Sequence, residues 1–430
     1  MAKSIASLNL HFLDIAAQRS DLYTEEKFQL RLYTKKHGEN GLEDRETGLL
    51  KANGIPCESK GTNLPRYLLR IGVAQFQCFF IWQTAPKKNL LVLSHPFLPE
   101  HPPKQKKDYK IWPVNSFNRD IRKSRQLAIR TVYALGYDVA VVEVGIYSQK
   151  PRYRVVNITD EIPEEVEEEL RKLLHKQEKE FYQVAEPVLG ADLEFVLRHP
   201  SGKFALASNY VSKGGQVGYD AIWLPKRREK HPIVELRPRP HQDPLMLLRH
   251  IYACLSLAKK KINRPQLAWL AGGHPLKGFP IGGHIHFSGI PLTSRFIRAL
   301  DNYLTLPLFL MESATSLTRR PKYGYLGDVR EQFHGGFEYR TPPSWLVRPR
   351  VAKGILCLSK VLALDYQRLV WMPTLNAEVQ LHFYGGKKEE CRPVVHLLWE
   401  ELRERCPAYV RYKRELDLFF QLIEAGYQWD

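Results

Sequence analysis

The chain has 430 residues, 44% of them hydrophobic, and a formal net charge of +18. This length exceeds one average domain and the composition supports packed cores, so disorder is excluded as the default and two domains are expected. The charge balance favours anionic partners (nucleotide phosphates, nucleic acid or an acidic polymer) without choosing among them. In chain order, residues 1–160 hold short apolar runs such as 78–82 and 90–93, interrupted by proline and lysine clusters, and read as a smaller N-terminal α/β domain. The pattern predicts a helix over 122–135 stopped by Gly136, a buried strand over 139–146 and another over 153–158. Residues 161–180 place acids first and bases later, with Val166, Leu170, Leu173 and Leu174 on one face, which predicts a helix within a connector spanning 161–185.

From 186 to 430 short strands alternate with amphipathic helices. Asp243 is an N-cap with Pro244 at the first helical position, Leu248, Ile251, Tyr252 and Leu255 follow at helical spacing, and Lys259 to Lys261 suit the C-terminal end. Helices are also expected over 294–317, 351–365 and 394–425, the last broken near Pro407. No run of eighteen apolar residues occurs, and the opening MAKSIASLNLHFLD reaches an acid before any signal-like stretch, so no membrane span and a cytoplasmic location are expected. Cys57, Cys78, Cys254, Cys357, Cys391 and Cys406 form no C-x-x-C pair and read as reduced thiols. The cluster of Lys104, Lys106, Lys107 and Lys110 lies in a proline-rich stretch and reads as a solvated loop; no nucleic-acid-binding motif accompanies it.

Four predicted strands carry the chemistry. Asp192-Leu193-Glu194, Glu235-Leu236-Arg237, His284-Ile285-His286 and Glu338-Tyr339-Arg340 each flank one apolar residue with two functional side chains. Strand side chains alternate, so each pair shares a face while the central residue points to the other. One such triplet is ordinary; four with acids, imidazoles and guanidiniums point to a site, because Asp and Glu are disfavoured on exposed strands. Carboxylates gathered on one face require cations between them, and oxygen ligands with a little imidazole suit Mg or Mn. Arg237 and Arg340, each two residues past a carboxylate, suit phosphate recognition, as phosphoryl transfer requires. No P-loop is present. Gly272-Gly273, Gly282-Gly283 and Gly335-Gly336 allow either tight turns or close backbone approach, and Asp220 and Asp328 are further candidates beside glycines.

These residues, with Gly190 to Phe195, Val234 to Pro238, Gly283 to Phe287 and Gly336 to Thr341 as the carriers, give residues 190–365 a pattern that resembles the carboxylate-amine ligases of the glutamine synthetase and glutamate-cysteine ligase superfamily. It most resembles the phage-associated COOH-NH2 ligase type 2 family. The resemblance implies an α+β fold: a glutamine synthetase-like antiparallel sheet forming a half-open funnel backed by helices, in a catalytic domain over 186–430. It implies Asp192, Glu194, Glu235, His284 and Glu338 as metal ligands, and His284, His286, Arg237 and Arg340 at the ATP phosphates. Arg340 and Arg237 would assist transfer, and Asp220 or Asp328 would be tested first as the base. ATP and Mg (or Mn) are the implied cofactors; a carboxylate and an amine, from amino acids, peptides or cell-wall material, are the implied substrates. Asp192 stands where the superfamily more often has Glu, which shortens its reach. Residues 128–146 and 154–157 resemble the final lobe of ATP-grasp ligases, with Glu143 and Asn157 matching and Val155 in the place of a second Glu, which implies a degenerate domain that binds substrate or partner. Two other readings compete: a zinc hydrolase built on His284 and His286 with His241 and His274 recruited, and a basic nucleic-acid-binding protein without catalysis.

Overall fold

The computed structural model describes residues 2–4, 30–34, 41–58, 64–84, 109–182, 186–224, 227–332 and 335–429. The apolar run at 90–93 and Lys104, Lys106 and Lys107 lie outside them; Lys110 lies within, its ammonium 4.0 Å from the Trp112 ring centroid. The chain divides into two compact units, Met1–Lys179 and Glu180–Asp430. Among the described residues no helix is long and apolar enough to cross a membrane. All six cysteines are free thiols.

The first unit is built on a five-stranded sheet of β1 (Tyr67–Ala74), β2 (Gln77–Thr84), β3 (Tyr109–Ile111), β4 (Val139–Ile146) and β5 (Tyr153–Thr159), in the order β3-β2-β1-β4-β5. Every pairing is antiparallel, so this unit, expected to be α/β, is closer to α+β. Helix α1 (Arg119–Ala134) starts where the Asn118 side chain accepts the Asp120 N–H at 2.9 Å, and Gly136 follows it at φ +84°. Its Ile121, Ala128 and Val132 pack with Leu69, Ile71, Val142 and Val144 on one face of the sheet. On the other face Trp82, Val139 and Val141 meet Leu170 and Leu174 of α2 (Glu167–Tyr182). This helix begins later than its charge pattern predicts. Glu161–Pro163 instead pairs as a short strand with Ala2–Ser4, and Pro163, which has no N–H to donate, stands at the point where the chain turns into a 3-10 turn and then the helix.

The second unit contains an eight-stranded antiparallel sheet. Its main path joins β6 (Val188–Arg198), β7 (Val217–Tyr219), β8 (Ile233–Leu236), β10 (Gly283–Ser288), β11 (Val329–Glu331) and β12 (Phe337–Tyr339) in the order β7-β8-β6-β10-β12-β11, while β9 (Ala268–Leu270) and Phe204–Ala205 also pair with β6. Helix α3 (Pro244–Ile262) has Asp243 accepting the Leu245 N–H at 2.9 Å, and Asn263 at φ +40° ends it. Tyr252, expected on its buried face, is exposed; Leu248, Ile251 and Cys254 do the packing. The expected long helix over 294–317 is divided into α4 (Ser294–Leu300), a π turn at Asp301–Thr305 and α5 (Leu306–Met311), followed by a 3-10 segment, Ala314–Arg319. Pro307 has no N–H for the carbonyl a turn earlier, and the wider π turn lies just before it. Helix α6 (Pro349–Asp365) is buried along most of its length. The C-terminal region forms Lys388–Arg405, Ala408–Arg411 and Lys413–Glu424, interrupted at Pro407 as its sequence predicts.

Candidate active site

The four triplets lie on four neighbouring strands, β8, β6, β10 and β12. Register determines which side chains meet: Glu235 is opposite Glu194, Asp192 opposite His284, and His286 opposite Glu338. Directly paired residues share a face, so all these groups line one surface. The central residues Leu193, Leu236, Ile285 and Tyr339 occupy the reverse face, each at 0% exposure. Burial of these four apolar groups therefore fixes which way the chemical groups point.

Two clusters result. The candidate ligand atoms of Asp192, His286 and Glu338 lie within 4.8 Å of one another, as do those of Glu194, Asp220 and Glu235. His284, on β10, has its Nδ1 2.8 Å from Glu338 Oε1, and His286 Nε2 is 3.1 Å from Asp192 Oδ2. These contacts are close but misaligned: His284 Nδ1, His286 Nε2 and Glu338 Oε1 are buried without a hydrogen-bond partner.

The electrostatics of the clusters differ. Burial would raise the Glu338 carboxyl, but the His284 imidazole and the Arg330 and Arg340 guanidiniums outweigh it and hold the group at about 2. Arg330 Nε reaches Glu338 Oε2 at 2.8 Å, Gln332 Nε2 donates to the same oxygen at 2.9 Å, and Arg340 Nε lies 3.2 Å from Oε1. Around Glu194 the opposite holds. Burial pushes its carboxyl up, His284 opposes the shift, and Asp220 adds to it. Its Oε2 accepts the Gly282 N–H at 2.7 Å. Within this second cluster the guanidinium of Arg237 pairs with Glu235. Three carboxylates with one close guanidinium make a strong demand for a cation.

Arg237 also donates to the backbone carbonyls of Lys213 and Gly215 at 3.3 and 3.4 Å, so it braces the turn before β7 as well as Glu235. Asp328 is buried, accepts the Gly324 N–H at 3.0 Å and lies 3.8 Å from Arg340. Asp220 is half-buried and its Oδ1 accepts the Ile222 N–H at 2.8 Å. The glycine pairs divide between their two readings. A Cβ on Gly282 would lie 2.3 Å from His284 Nε2 and one on Gly283 2.4 Å from Trp345, so these positions serve close approach; Gly335, at φ +89°, serves a turn, and Gly336, at φ +76°, serves both, since its Cβ would lie 2.3 Å from the Phe287 carbonyl oxygen.

Four contributors escape the sequence reading. Arg330 and Gln332 come from the edge strand β11 and its end, Arg330 directly opposite Glu338. Arg319 is buried, donates to the carbonyls of Thr341 and Arg340 at 2.7 and 3.0 Å, and is lowered by burial to about 10, still cationic at neutral pH. Asp301 accepts the Tyr339 hydroxyl at 2.6 Å and the Gly327 N–H at 3.2 Å, tying the strand of Glu338 to the turn of Asp328 from behind.

The donor chemistry fits hard divalent cations: one cluster is all carboxylate, the other has two carboxylates and an imidazole, and buried lone pairs on His286 and Glu338 lack hydrogen-bond donors. A three-histidine zinc site does not form among the described residues. His241 Nδ1 accepts the Asp243 N–H at 2.9 Å, and His274 is held by Thr318 at 2.5 Å and by the Gly278 N–H at 2.8 Å. In the first unit, Arg70, Glu143 and Asn157 form one row across β1, β4 and β5, and Asn157 Nδ2 lies 3.4 Å from Glu143 Oε2. Val155 is at 0% exposure, so the place of a second acid is core, and no metal-type cluster forms among the described residues of this unit.

Comparison with known proteins gives one family match: residues 189–430 fit the family described as phage phiEco32-like COOH.NH2 ligase-type 2. No curated protein matches the chain. Among solved structures, a bifunctional glutathione synthetase from Pasteurella multocida is 11% identical, covering 58% of this chain and 50% of its own, with a TM-score of 0.34. The chain thus spans half the length of that protein. Apo GmaS without ligand is 15% identical, covering 66% of this chain and 82% of its own, with a TM-score of 0.33. Likeness at that level assigns neither substrate nor mechanism.

Proposed function

The chain belongs to the phage phiEco32-like COOH.NH2 ligase-type 2 family, an amide-forming ligase family, and on that premise we propose that it joins a carboxylate to an amine with ATP and Mg or Mn through an acyl phosphate. The observation that carries the reading is the convergence of Asp192, Glu194, Asp220, Glu235, Glu338 and two imidazoles on one face of four adjacent strands. In this reading that face is the wall of a half-open funnel within a catalytic domain over 186–430, joined through 161–185 to the N-terminal domain over 1–160.

Glu194, Asp220 and Glu235 would hold one divalent ion, and Asp192, His286 and Glu338 a second, with His284 orienting Glu338 between them. Held by these residues, divalent ions would supply positive charge that offsets the phosphate oxygens. Arg340 and Arg330 flank Glu338 and supply fixed positive charge to the phosphoryl group in transfer. Arg237 keeps Glu235 in place and faces the same ligand. The substrate carboxylate oxygen attacks the terminal phosphorus and ADP leaves; the amine nitrogen then attacks the acyl carbon and phosphate leaves. Of the two acids considered as base for the amine, Asp328 is buried as a brace and Asp220 stands among the acids that would hold the first ion, so the base is not assigned to either. The substrate pair is drawn from amino acids, peptides or cell-wall material, and the positive charge of the chain suits a nucleotide polyphosphate. In the first unit, the row of Arg70, Glu143 and Asn157 supports a substrate- or partner-binding role over a second catalytic centre.

The test is incubation of the purified protein with ATP, Mg and mixtures of amines and carboxylates, reading phosphate release and the mass of condensed products. The expected result is amide product and phosphate in equal amounts. ATP-independent hydrolysis with bound zinc, or salt-sensitive binding of DNA or RNA with no ATP-dependent product, would overturn the proposal.

A further inference from the structure

On the helix side of the same sheet, away from the carboxylates, lies a cavity of about 600 Å³ lined by residues of α3 and β9. Its construction follows from two periodicities. Leu255, Lys259 and Ile262 form a stripe at helical spacing near the end of α3, and Leu267 and Trp269 present alternate positions around the start of β9. Trp269 is half-buried and stacks on Phe195 with ring centroids 4.7 Å apart and planes inclined by 16°. The apolar wall thus contains an indole ring held flat from behind, the arrangement that accepts a planar ring on its other side.

The charge at the mouth has one sign. Lys259 and Arg264 are the charged lining residues, both exposed, and neither has an ion pair among the described residues. Lysines at a helix C-terminus ordinarily offset the helix dipole, a role that Lys260 and Lys261 also fill. Lys261 donates to the Val217 carbonyl at 3.3 Å and Arg264 Nη1 to the Asn263 carbonyl at 3.1 Å; Lys259 and Arg264 border the hollow with no acid among its lining residues. The volume falls within the range of small-molecule sites, about 300–1,000 Å³.

We propose that this cavity is a second ligand site, distinct from the carboxylate face, for a small anion carrying a planar aromatic ring, which stacks against Trp269 while Lys259 and Arg264 hold the anionic group. The site is independent of the ligase reading. Phe195 follows Glu194 in β6, so occupancy of the cavity acts on the reverse side of the strand that carries a catalytic-face acid.

Titration calorimetry of the full chain with 1-naphthyl phosphate, inorganic phosphate and 1-naphthol separates the two halves of the recognition. The expected result is one molecule of 1-naphthyl phosphate bound per chain, more tightly than either fragment. Lys259→Ala with Arg264→Ala, both exposed and outside the core, should weaken binding by about tenfold. Trp269→Leu should weaken it as well, with circular dichroism and a cooperative melt showing that the fold is retained, and Glu338→Ala should leave it unaltered. Equal binding of phosphate alone, or full affinity in the double variant, would overturn the proposal.

Discussion

The two sheets of this protein are both antiparallel, yet they are written differently in the chain. In the first unit Val139-Ala140-Val141-Val142 continues apolar without alternation, because α1 covers one face and α2 the other. In the second, the triplets of β6, β8, β10 and β12 alternate, with Leu193, Leu236, Ile285 and Tyr339 on one face and the acids and imidazoles on the other, where Val196, Ile233 and Ile281 form a small apolar cluster beside them. Arg70, Glu143 and Asn157 form one polar row in the first sheet, whereas the second gathers two clusters of ligand atoms. Apolar side chains on both faces leave a sheet little room for a site; alternation over the triplets leaves part of one face to polar groups.

The largest test of that contrast is Glu338→Ala against Glu143→Ala. The first should lower ATP-dependent condensation by about a thousandfold or more, since in the proposed mechanism it removes a charge-organising group beside the transferring phosphoryl. The second should change turnover at saturating substrate by no more than about twofold, whatever it does to substrate or partner affinity. Loss of activity from Glu143→Ala would make the first sheet a catalytic centre and dissolve the distinction.

A second comparison concerns support from behind the active face. Tyr339→Phe and Asp301→Ala should each reduce turnover by about 10- to 100-fold, because a misplacement of about 1 Å is costly in catalysis. The hydroxyl-to-carboxylate contact they break fixes the strand of Glu338 and the turn of Asp328. Asp301→Asn, which keeps the acceptor oxygen, should restore most of the rate, and thermal melts should establish that each variant is folded.

The smallest effect is expected in the first unit. Burial raises the Asp120 carboxyl, but hydrogen bonds from Arg152, Tyr153 and Tyr67 outweigh it and leave the group below its ordinary range. A carboxyl lowered in the folded state stabilises above its unfolded value, about 3.9, and that contribution is lost as pH falls through the folded value. Asp120→Asn should therefore cost about 1–2 kcal/mol at pH 7 and less at pH 3, with no change in ligase activity. Urea melts at the two pH values read this.

The sequence made legible those parts of the site that obey a local period. Asp192, Glu194, Glu235, His284, His286 and Glu338 could be placed on one face from alternation alone. Arg330 carried a signal of the same kind, since Asp328-Val329-Arg330 repeats the pattern of charge, apolar residue, charge. Its shortness hid it: β11 has three residues, too few for alternation to stand out. Arg319 and Asp301 gave no such signal, because a guanidinium in a 3-10 segment and a carboxylate in a π turn reach the site across the sequence.

By itself the chain determined the apolar and polar faces of its strands, the cap at Asp243 and the kinds of group available for chemistry, all set by neighbours a few residues away. Only the tertiary structure decided that Glu194 meets Glu235 and Asp220, and that Glu338 is surrounded by His284, Arg330 and Arg340. The reason is that strand order and register join residues far apart in the chain, and the burial that selects them is a property of the whole packed sheet.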